Sequence, residues 1–458
     1  MTSHDVRQLL GNACDRASNY LETLGDRPVG PKLEDVETLK HKLQGPLPLE
    51  GSAPGDVLAF LDTFGSPATV ASAGGRYFGF VTGGSLPAAL AANVLAGAWD
   101  QNSFSWISSP AAAAFEDTSL RWLKEALGLP ENTEGALTTG ATMAHFACLA
   151  AARYRVLQQK GWNVDADGLF GAPEVQVVVG DEVHSSLLKV LSMLGLGRNR
   201  VHRLPTDAQG RAVASELPSI SGPAIVCLQA GNVNSGAFDD AVPIIRWARS
   251  VGAWVHVDGA FGLWALASRE REDLAAAFRE ADSWAFDAHK WLNVPYDSGI
   301  ALLRDAEALA AAMSQTGAYL LPSGARDAMN FTPDSSRRAR GVEIWASLKS
   351  LGREGLAELV DRNCAQARNL AEGLEKMGAE VLNEVVLNQV IVAFGDEKTT
   401  RRVIENVQTG GACWCGGTEW KGRAAMRISV SSWATTGNDI AITIEAIAKA
   451  YVAAADQG

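Results

Sequence analysis

The chain reads as an α/β protein built on a mostly parallel sheet with helices on both faces, and three observations predict this. From about residue 135, short apolar runs (Val175 to Val179, Ala224 to Leu228, Ala253 to Val257, Gly299 to Leu303) alternate with helical patterns, the signature of βαβ units. A length of 458 residues leaves room for such a sheet and for a second, smaller domain. Polar groups also gather just past the apolar runs. Asp258 closes the run at 253–257, and Lys290 follows the short strand pattern Ser283 to Phe286. Ligands collect at the carboxyl ends of strands in sheets of this kind.

Taken in order, residues 1–60 are polar, helix-prone and broken by Gly-Pro and Leu-Pro, which predicts an N-terminal arm able to wrap a neighbouring subunit. A large domain is expected over 61–344. It carries the glycine-rich aromatic loop Arg76-Tyr-Phe-Gly-Phe-Val-Thr-Gly-Gly84, an alanine-rich helix pattern from Pro87, and a second aromatic loop, Gln101 to Pro110, before a helix pattern to Leu127. Exposed aromatics in such loops serve lids and subunit interfaces as readily as ligands. A strong helical stretch spans Ala144 to Val156. After Ala311 the pattern breaks at Gly317, Pro322 and Gly324 and turns polar through Ser335-Ser-Arg-Arg338, which reads as a mobile loop. A smaller α/β domain is expected over 345–458. The helical pattern from Val342 to about Met377 leads into it, followed by strand-like Gln389 to Phe394 and Met426 to Ser431.

Composition excludes several function classes. A net charge of −12 without any long basic run argues against nucleic acid or an anionic membrane as partner. No stretch reaches the roughly 18 apolar residues of a membrane helix, and the first residues show no apolar signal region, so a cytoplasmic location is expected. The six cysteines are scattered rather than arranged as a disulfide framework. Cys413 and Cys415 read as packing residues, and no metal site is expected.

The chemistry centres on Lys290. On its own it is as well explained as a surface lysine with its stem over a neighbour. A lysine amine is a nucleophile when it is desolvated or held near a group that lowers its pKa, and an aldehyde cofactor then traps it as a Schiff base. Asp258, ending a buried-looking strand 32 residues upstream, is the carboxylate that would hold a pyridinium nitrogen. Together the two form the minimum kit of a pyridoxal phosphate enzyme. Leu137-Thr-Thr-Gly-Ala-Thr-Met143 opens a helix, where small residues, the helix N-terminus and the Thr142 hydroxyl suit a phosphate, although Gly-Ala-Thr is also an ordinary cap. His184 follows the strand at 175–179, as a cap residue or as a ring stacked on a pyridine, and Asn232 and Asn234 follow the next strand, within reach of a ring hydroxyl. Cradle, stacker, amides, carboxylate and lysine occur in one order at successive strand ends. Neither a Walker A lysine motif nor G-x-G-x-x-G is present, which argues against nucleotides.

These residues resemble the group II pyridoxal-phosphate-dependent amino-acid decarboxylases, closely over roughly residues 70 to 350 and more loosely beyond. Phe104-Ser-Trp-Ile-Ser-Ser-Pro-Ala111 is similar to the Phe-Ser-Trp-x-x-Ser-Pro-Ala segment of the aromatic decarboxylases. Asp181 to Ser186 resembles their histidine motif, Val255-His-Val-Asp-Gly-Ala260 their aspartate strand, and Asp287-Ala-His-Lys290 their Asn-Pro-His-Lys. The resemblance implies the fold type I architecture and an obligate homodimer with shared active sites. It implies a Schiff base on Lys290, Asp258 on the pyridinium and His184 on the ring. Ala141, Thr142 and His289 would hold the phosphate, and Asn232, Ala260 and Asp287 complete the cofactor contacts. Phe80, Val81 and Thr82 would line the substrate side chain's pocket, with Phe104 and Trp106 approaching from the partner subunit and Arg427 taking the α-carboxylate or a structural pair. Aromatic walls favour aromatic over acidic substrates.

The sequence departs from the family at three points. Gly140-Ala141 stands where Gly-Gly or Gly-Ser is usual. Asp287 replaces an asparagine, which puts negative charge near the phosphate unless it is protonated or turned away. The aromatic decarboxylases also carry a tyrosine in the mobile loop that protonates the carbanion, and relatives with phenylalanine there form aldehydes. Between Leu321 and Trp345 this chain has no tyrosine and only Phe331 as an aromatic before Trp345. The expected reaction is decarboxylation of an aromatic amino acid to the amine and carbon dioxide. A pyridoxal phosphate aldolase, transaldolase or aldehyde synthase is the alternative, and no sequence feature favours a non-catalytic binding protein.

Overall fold

The structure is a computed structural model that describes residues 3–315 and 324–456. It divides into two compact units. The larger comprises Gly83–Arg368 and Asn383–Val390; the smaller comprises Met1–Thr82, Asn369–Leu382 and Ile391–Gly458.

The larger unit holds a seven-stranded sheet of β1 (Glu134–Thr138), β2 (Gln176–Gly180), β3 (Val201–Leu204), β4 (Ala224–Gln229), β5 (Trp254–Asp258), β6 (Ser283–Asp287) and β7 (Gly299–Leu303), in the order β1-β7-β6-β5-β4-β2-β3. The pairs from β3 through β6 are parallel, while β7 runs antiparallel to both β6 and β1. Every residue of β4, β5, β6 and β7 is buried, as expected for strands covered by helices on both faces. Only the edge strand β3 exposes residues, at His202 and Arg203.

The helix Ala141–Gln158 packs on β5, β6 and β7. Its buried Ala144, Ala147, Cys148 and Ala151 are small enough to let the helix axis approach the sheet, and Leu149, Val156, Ile225 and Leu303 fill the same core. Each such aliphatic side chain contributes about 1.5–3 kcal/mol on burial. Gly140, just before this helix, touches Gly299 at the start of β7 so closely that a Cβ on Gly299 would overlap the Gly140 backbone. That contact fixes the helix N-terminus beside the ends of β6 and β7.

Of the expected mobile loop, Gly317 and Pro322 lie outside the described residues. The stretch from Gly324 onward is anchored rather than free. Arg337 is buried, donating to Glu116 Oε2 at 2.5 Å and to the carbonyls of Leu137 and Ser103 at 3.1 Å each. The polar run at 335–338 therefore conceals a buried ion pair, which its composition does not reveal.

In the smaller unit the helices Ser3–Glu22, Leu33–Leu43 and Pro54–Phe60 precede the aromatic loop. A four-stranded sheet follows, β8 (Glu380–Val381), β9 (Gln389–Ala393), β10 (Gly416–Trp420) and β11 (Arg423–Ser429), in the order β10-β11-β9-β8. The loop is tied to the C-terminal part of this unit. Phe78 N–H donates to Trp414 O at 2.9 Å, and Ser429 N–H donates to Phe78 O at 3.0 Å. Among the described residues no helix is long and apolar enough to cross a membrane.

Candidate active site

Lys290 sits in the turn between β6 and β7. The β6 residues Trp284 and Phe286 are fully buried, so the strand is fixed in depth, and its last residue, Asp287, is buried too. The chain then folds tightly: Ala288 and His289 N–H both donate to Ser298 O, at 3.0 and 3.1 Å, and Val294 N–H returns to Ala288 O at 3.2 Å. Trp291, fully buried, donates its indole N–H to Asn363 Oδ1 at 3.0 Å. Gly83 passes so near that a Cβ there would collide with the Lys290 carbonyl. The lysine stem thus leaves a rigid base, with its amine half-buried.

A cavity of about 840 Å³, open mouth included, is lined by Thr139 to Thr142, His184, Ser186, Gln229, Gly231, Val233, Asp258, Ala260, Phe261, Asp287, His289 and Lys290. Lys290 Nζ lies 3.3 Å from Asp287 Oδ2, and His289 Nε2 lies 3.5 Å from Asp287 Oδ1. Asp287 Oδ1 also accepts the Ala141 N–H at 2.5 Å, at the start of the helix. The extra carboxylate is therefore balanced by an ammonium and by a helix N-terminus, both of which favour negative charge. Gly140 leaves this corner open, since a Cβ on it would stand 3.2 Å from the His289 ring and 3.4 Å from Asp287. His289 accepts Ser298 N–H on Nδ1 at 3.1 Å and stacks on Tyr296 at 4.4 Å. Burial lowers the His289 pKa more than Asp287 raises it, which favours the neutral ring.

Asp258, at the end of β5, accepts the Ala260 N–H on Oδ1 at 3.1 Å. Burial pushes its pKa up, but the nearby His145, then His184 and the Ala260 N–H, outweigh that and hold it far below the usual carboxylate range. His184 caps the helix Ser185–Met193: its Nδ1 accepts the Ser186 N–H at 3.3 Å and lies 2.7 Å from Ser186 Oγ. The same ring forms part of the cavity wall, so the cap and the wall are one residue.

Asn232 is not brought to the cavity. Its Oδ1 accepts the N–H groups of Asn234 and Ser235 at 2.8 and 3.1 Å, and its amide donates to Gln229 Oε1 at 3.1 Å. Gln229, which sequence reasoning passed over, lines the cavity in its place. The Asn-x-Asn-Ser-Gly run is an Asx-turn signature that could have foretold this.

Phe104 and Trp106 lie in the larger unit but off the cavity lining. The Phe104 carbonyl accepts Met329 N–H at 2.9 Å, and the Trp106 N–H donates to Asp327 at 3.0 Å. Phe80, Val81, Thr82 and Arg427 belong to the smaller unit. Phe80 and Val81 have φ values of 56° and 59°, a conformation costly for such residues. Val81 and Thr82 are buried, whereas Phe80 is 62% exposed. Phe80 tilts against Trp414 at 5.5 Å, and Tyr77 stacks on the same ring at 5.1 Å. Burial lowers the pKa of Arg427.

Residues 72–395, well over half of the chain, match the family model described as the pyridoxal-dependent decarboxylase conserved domain. The chain belongs to this family. An aromatic-L-amino-acid decarboxylase of Bacillus atrophaeus is 28% identical over 391 residues, covering 82% of this chain and 78% of that one. A phenylacetaldehyde synthase of Arabidopsis thaliana is 25% identical over 472 residues, covering 94% of this chain and 93% of that one. The crystal structure of Oryza sativa TDC with PLP and tryptamine superposes with a TM-score of 0.90 at 23% identity, covering 99% of each chain, which shows the shared fold. This decarboxylase-family chain is a lyase whose cofactor is pyridoxal phosphate. The cavity fits that group: an amine, a buried ionised carboxylate, an imidazole wall and a helix N-terminus kept open by Gly140 surround one space.

Proposed function

We propose that the chain decarboxylates an aromatic L-amino acid to the amine and carbon dioxide, as a cytoplasmic homodimer with shared active sites. The observation that carries this reading is the convergence of Lys290, Asp258, His184 and the helix N-terminus at Ala141 on one cavity, in a chain of this family. Lys290 Nζ is the amine that would join the cofactor aldehyde, and Asp258 is the carboxylate that would keep its ring nitrogen protonated. His184 would offer the face of its ring, while Thr142 and His289 at the helix N-terminus would take the phosphate. Bound pyridoxal phosphate supplies an electron sink for the pair left on Cα when carbon dioxide departs. Asp287 keeps Lys290 and His289 oriented.

The aromatic substrate class is supported by the name of the Bacillus relative. Arg427 is a candidate for the substrate α-carboxylate or for a structural pair. Tyr319 stands two residues ahead of the tyrosine-free window at 321–345. It lies outside the described residues; as a phenol close to that window in sequence, it is our candidate for returning the proton to Cα.

Incubation with phenylalanine, tyrosine, tryptophan, phenylserine, glutamate and 2,4-diaminobutyrate, with carbon dioxide, amine, aldehyde and hydrogen peroxide measured together, tests both parts. Equal amine and carbon dioxide are expected from an aromatic substrate, and Tyr319→Phe should divert product to aldehyde and peroxide. Aldehyde with peroxide from the wild type would assign an aldehyde synthase, and aldehyde without carbon dioxide an aldolase. Fastest turnover of glutamate or diaminobutyrate would remove the aromatic pocket.

The dimer is supported by apolar side chains left exposed in the N-terminal region, among them Leu33, Leu43, Leu47, Leu49 and Leu61. Sedimentation equilibrium should give twice the 48.4 kDa chain mass, and Leu47→Glu with Leu49→Glu should weaken the association. A wild-type mass of 48.4 kDa at assay concentrations would refute the dimer. The free state of all six cysteines supports a reducing, cytoplasmic compartment.

A further inference from the structure

Behind Asp258 runs a line of buried polar groups that the reaction as described does not use. Strand alternation places Trp254, His256 and Asp258 on one face of β5, and His256 pairs in register with Ser283 of β6. The Trp254 indole N–H donates to Ser283 Oγ at 2.8 Å. Ser283 Oγ is 2.8 Å from His256 Nδ1, and His256 Nε2 is 2.8 Å from His145 Nδ1. His145 Nε2 lies 3.6 Å from Asp258 Oδ1 and makes no hydrogen bond among the described residues. His145, His256 and Ser283 are completely buried, so each donor and acceptor among them must be satisfied within the line.

The line has a direction. An indole N–H can only donate, so Ser283 Oγ accepts it and keeps one proton to give. The acceptor found for that proton is His256 Nδ1. His256 then carries its own proton on Nε2 and donates to His145 Nδ1, which leaves the His145 proton on Nε2, facing Asp258. The reverse order would strand the serine hydroxyl and turn a lone pair toward a carboxylate.

We propose that His145 is a positioning residue for Asp258, held by Trp254, Ser283 and His256 as the neutral tautomer protonated on Nε2. This arrangement occupies Asp258 Oδ1 and keeps the group ionised, leaving Oδ2 for the cofactor's ring nitrogen. The inference rests on the pyridoxal phosphate reading above. Burial lowers the pKa of His256 and keeps it neutral, as the line requires. The other titratable groups around Asp258 are His184, Cys227 and Asp239. Burial raises the last two, which leaves the histidines as the partners that stabilise the anion.

The test uses full-length protein labelled with nitrogen-15 on histidine, with and without pyridoxal phosphate. Long-range proton–nitrogen correlation spectra should show His145 and His256 neutral and protonated on Nε2. His145→Leu should weaken cofactor binding about 10- to 100-fold, as loss of an outer-layer partner does at comparable sites, and lower kcat more than it raises KM. His145→Gln, which keeps a donor near the Nε2 position, should recover most of both. Ser283→Ala should leave His256 in mixed tautomers and weaken cofactor binding in the same direction. A purely structural role would lower the melting temperature of both His145 variants without separating them in cofactor affinity. A wild-type His145 protonated on Nδ1, or His145→Leu binding the cofactor like the wild type, overturns the proposal. Should His145→Leu fail to fold, the wild-type spectra and Ser283→Ala decide. Wild-type protein that takes up no cofactor would refute the functional reading, and the nitrogen spectra alone would then decide the polarity of the line.

Discussion

Lys290→Ala should release no measurable carbon dioxide from carboxyl-labelled substrate, a loss of at least about 10²–10⁴-fold, the range for removing one proton-transfer group. Lys290 is the one lysine among the residues lining the cavity, and it comes from a base pinned by Ser298, Trp291 and Gly83. No neighbouring amine can substitute for it there. The variant should still fold. The side chain is half-buried, and Asp287, its ion-pair partner, keeps the Ala141 N–H at 2.5 Å. An unchanged circular dichroism spectrum and melting temperature would separate chemistry from stability. Turnover within tenfold of the wild type would remove Lys290 from the mechanism.

Asp258→Ala should keep part of its cofactor, because Lys290 remains, yet lose about 10²–10³-fold in kcat, the typical effect of removing one preorganised electrostatic partner. The carboxylate is buried, held ionised, and placed at the cavity by a fully buried strand. Asp258→Asn preserves the volume and the contact with Ala260 while removing the charge, so it should lose activity with little loss of packing. The pH dependence of stability gives a second readout. The folded pKa lies below the unfolded value of about 3.9, so the ionised group stabilises the fold above that value, and the benefit fades as pH falls toward the lower folded pKa. The gap in melting temperature between wild type and Asp258→Asn should therefore be constant near neutrality and narrow in acid. Near-normal turnover in Asp258→Ala would contradict the assignment.

The strands that organise this site were legible because buried parallel strands are written as short continuous apolar runs. Gly299–Leu303 is identical in pattern and structure, and the runs at 224, 253 and 283 extend by one residue into the polar groups that face the cavity. Strand order was not legible. β1 comes first in the chain yet lies at the sheet edge against β7, because pairing depends on contacts distant in sequence. Lys290, Asp258 and His184 stood out because each follows such a run. His145 did not, since a histidine inside an alanine-rich helix reads as core, and only the fold reveals that it faces β5. His256 was more accessible to reasoning: the Trp-x-His-x-Asp spacing puts all three on one strand face. Asn232 sits in a local turn that uses the side chain a ligand would need, which pattern reading does not weigh.

The central claim is that Lys290 carries pyridoxal phosphate, and borohydride reduction followed by a tryptic map tests it most directly. A reduced adduct blocks cleavage at Lys290, so the label should appear on the uncut peptide 280–304, bounded by Arg279 and Arg304. The purified protein should be yellow before reduction and lose its visible band with it. Label on any other lysine, or wild-type protein that remains colourless and unlabelled in excess cofactor, would contradict the account.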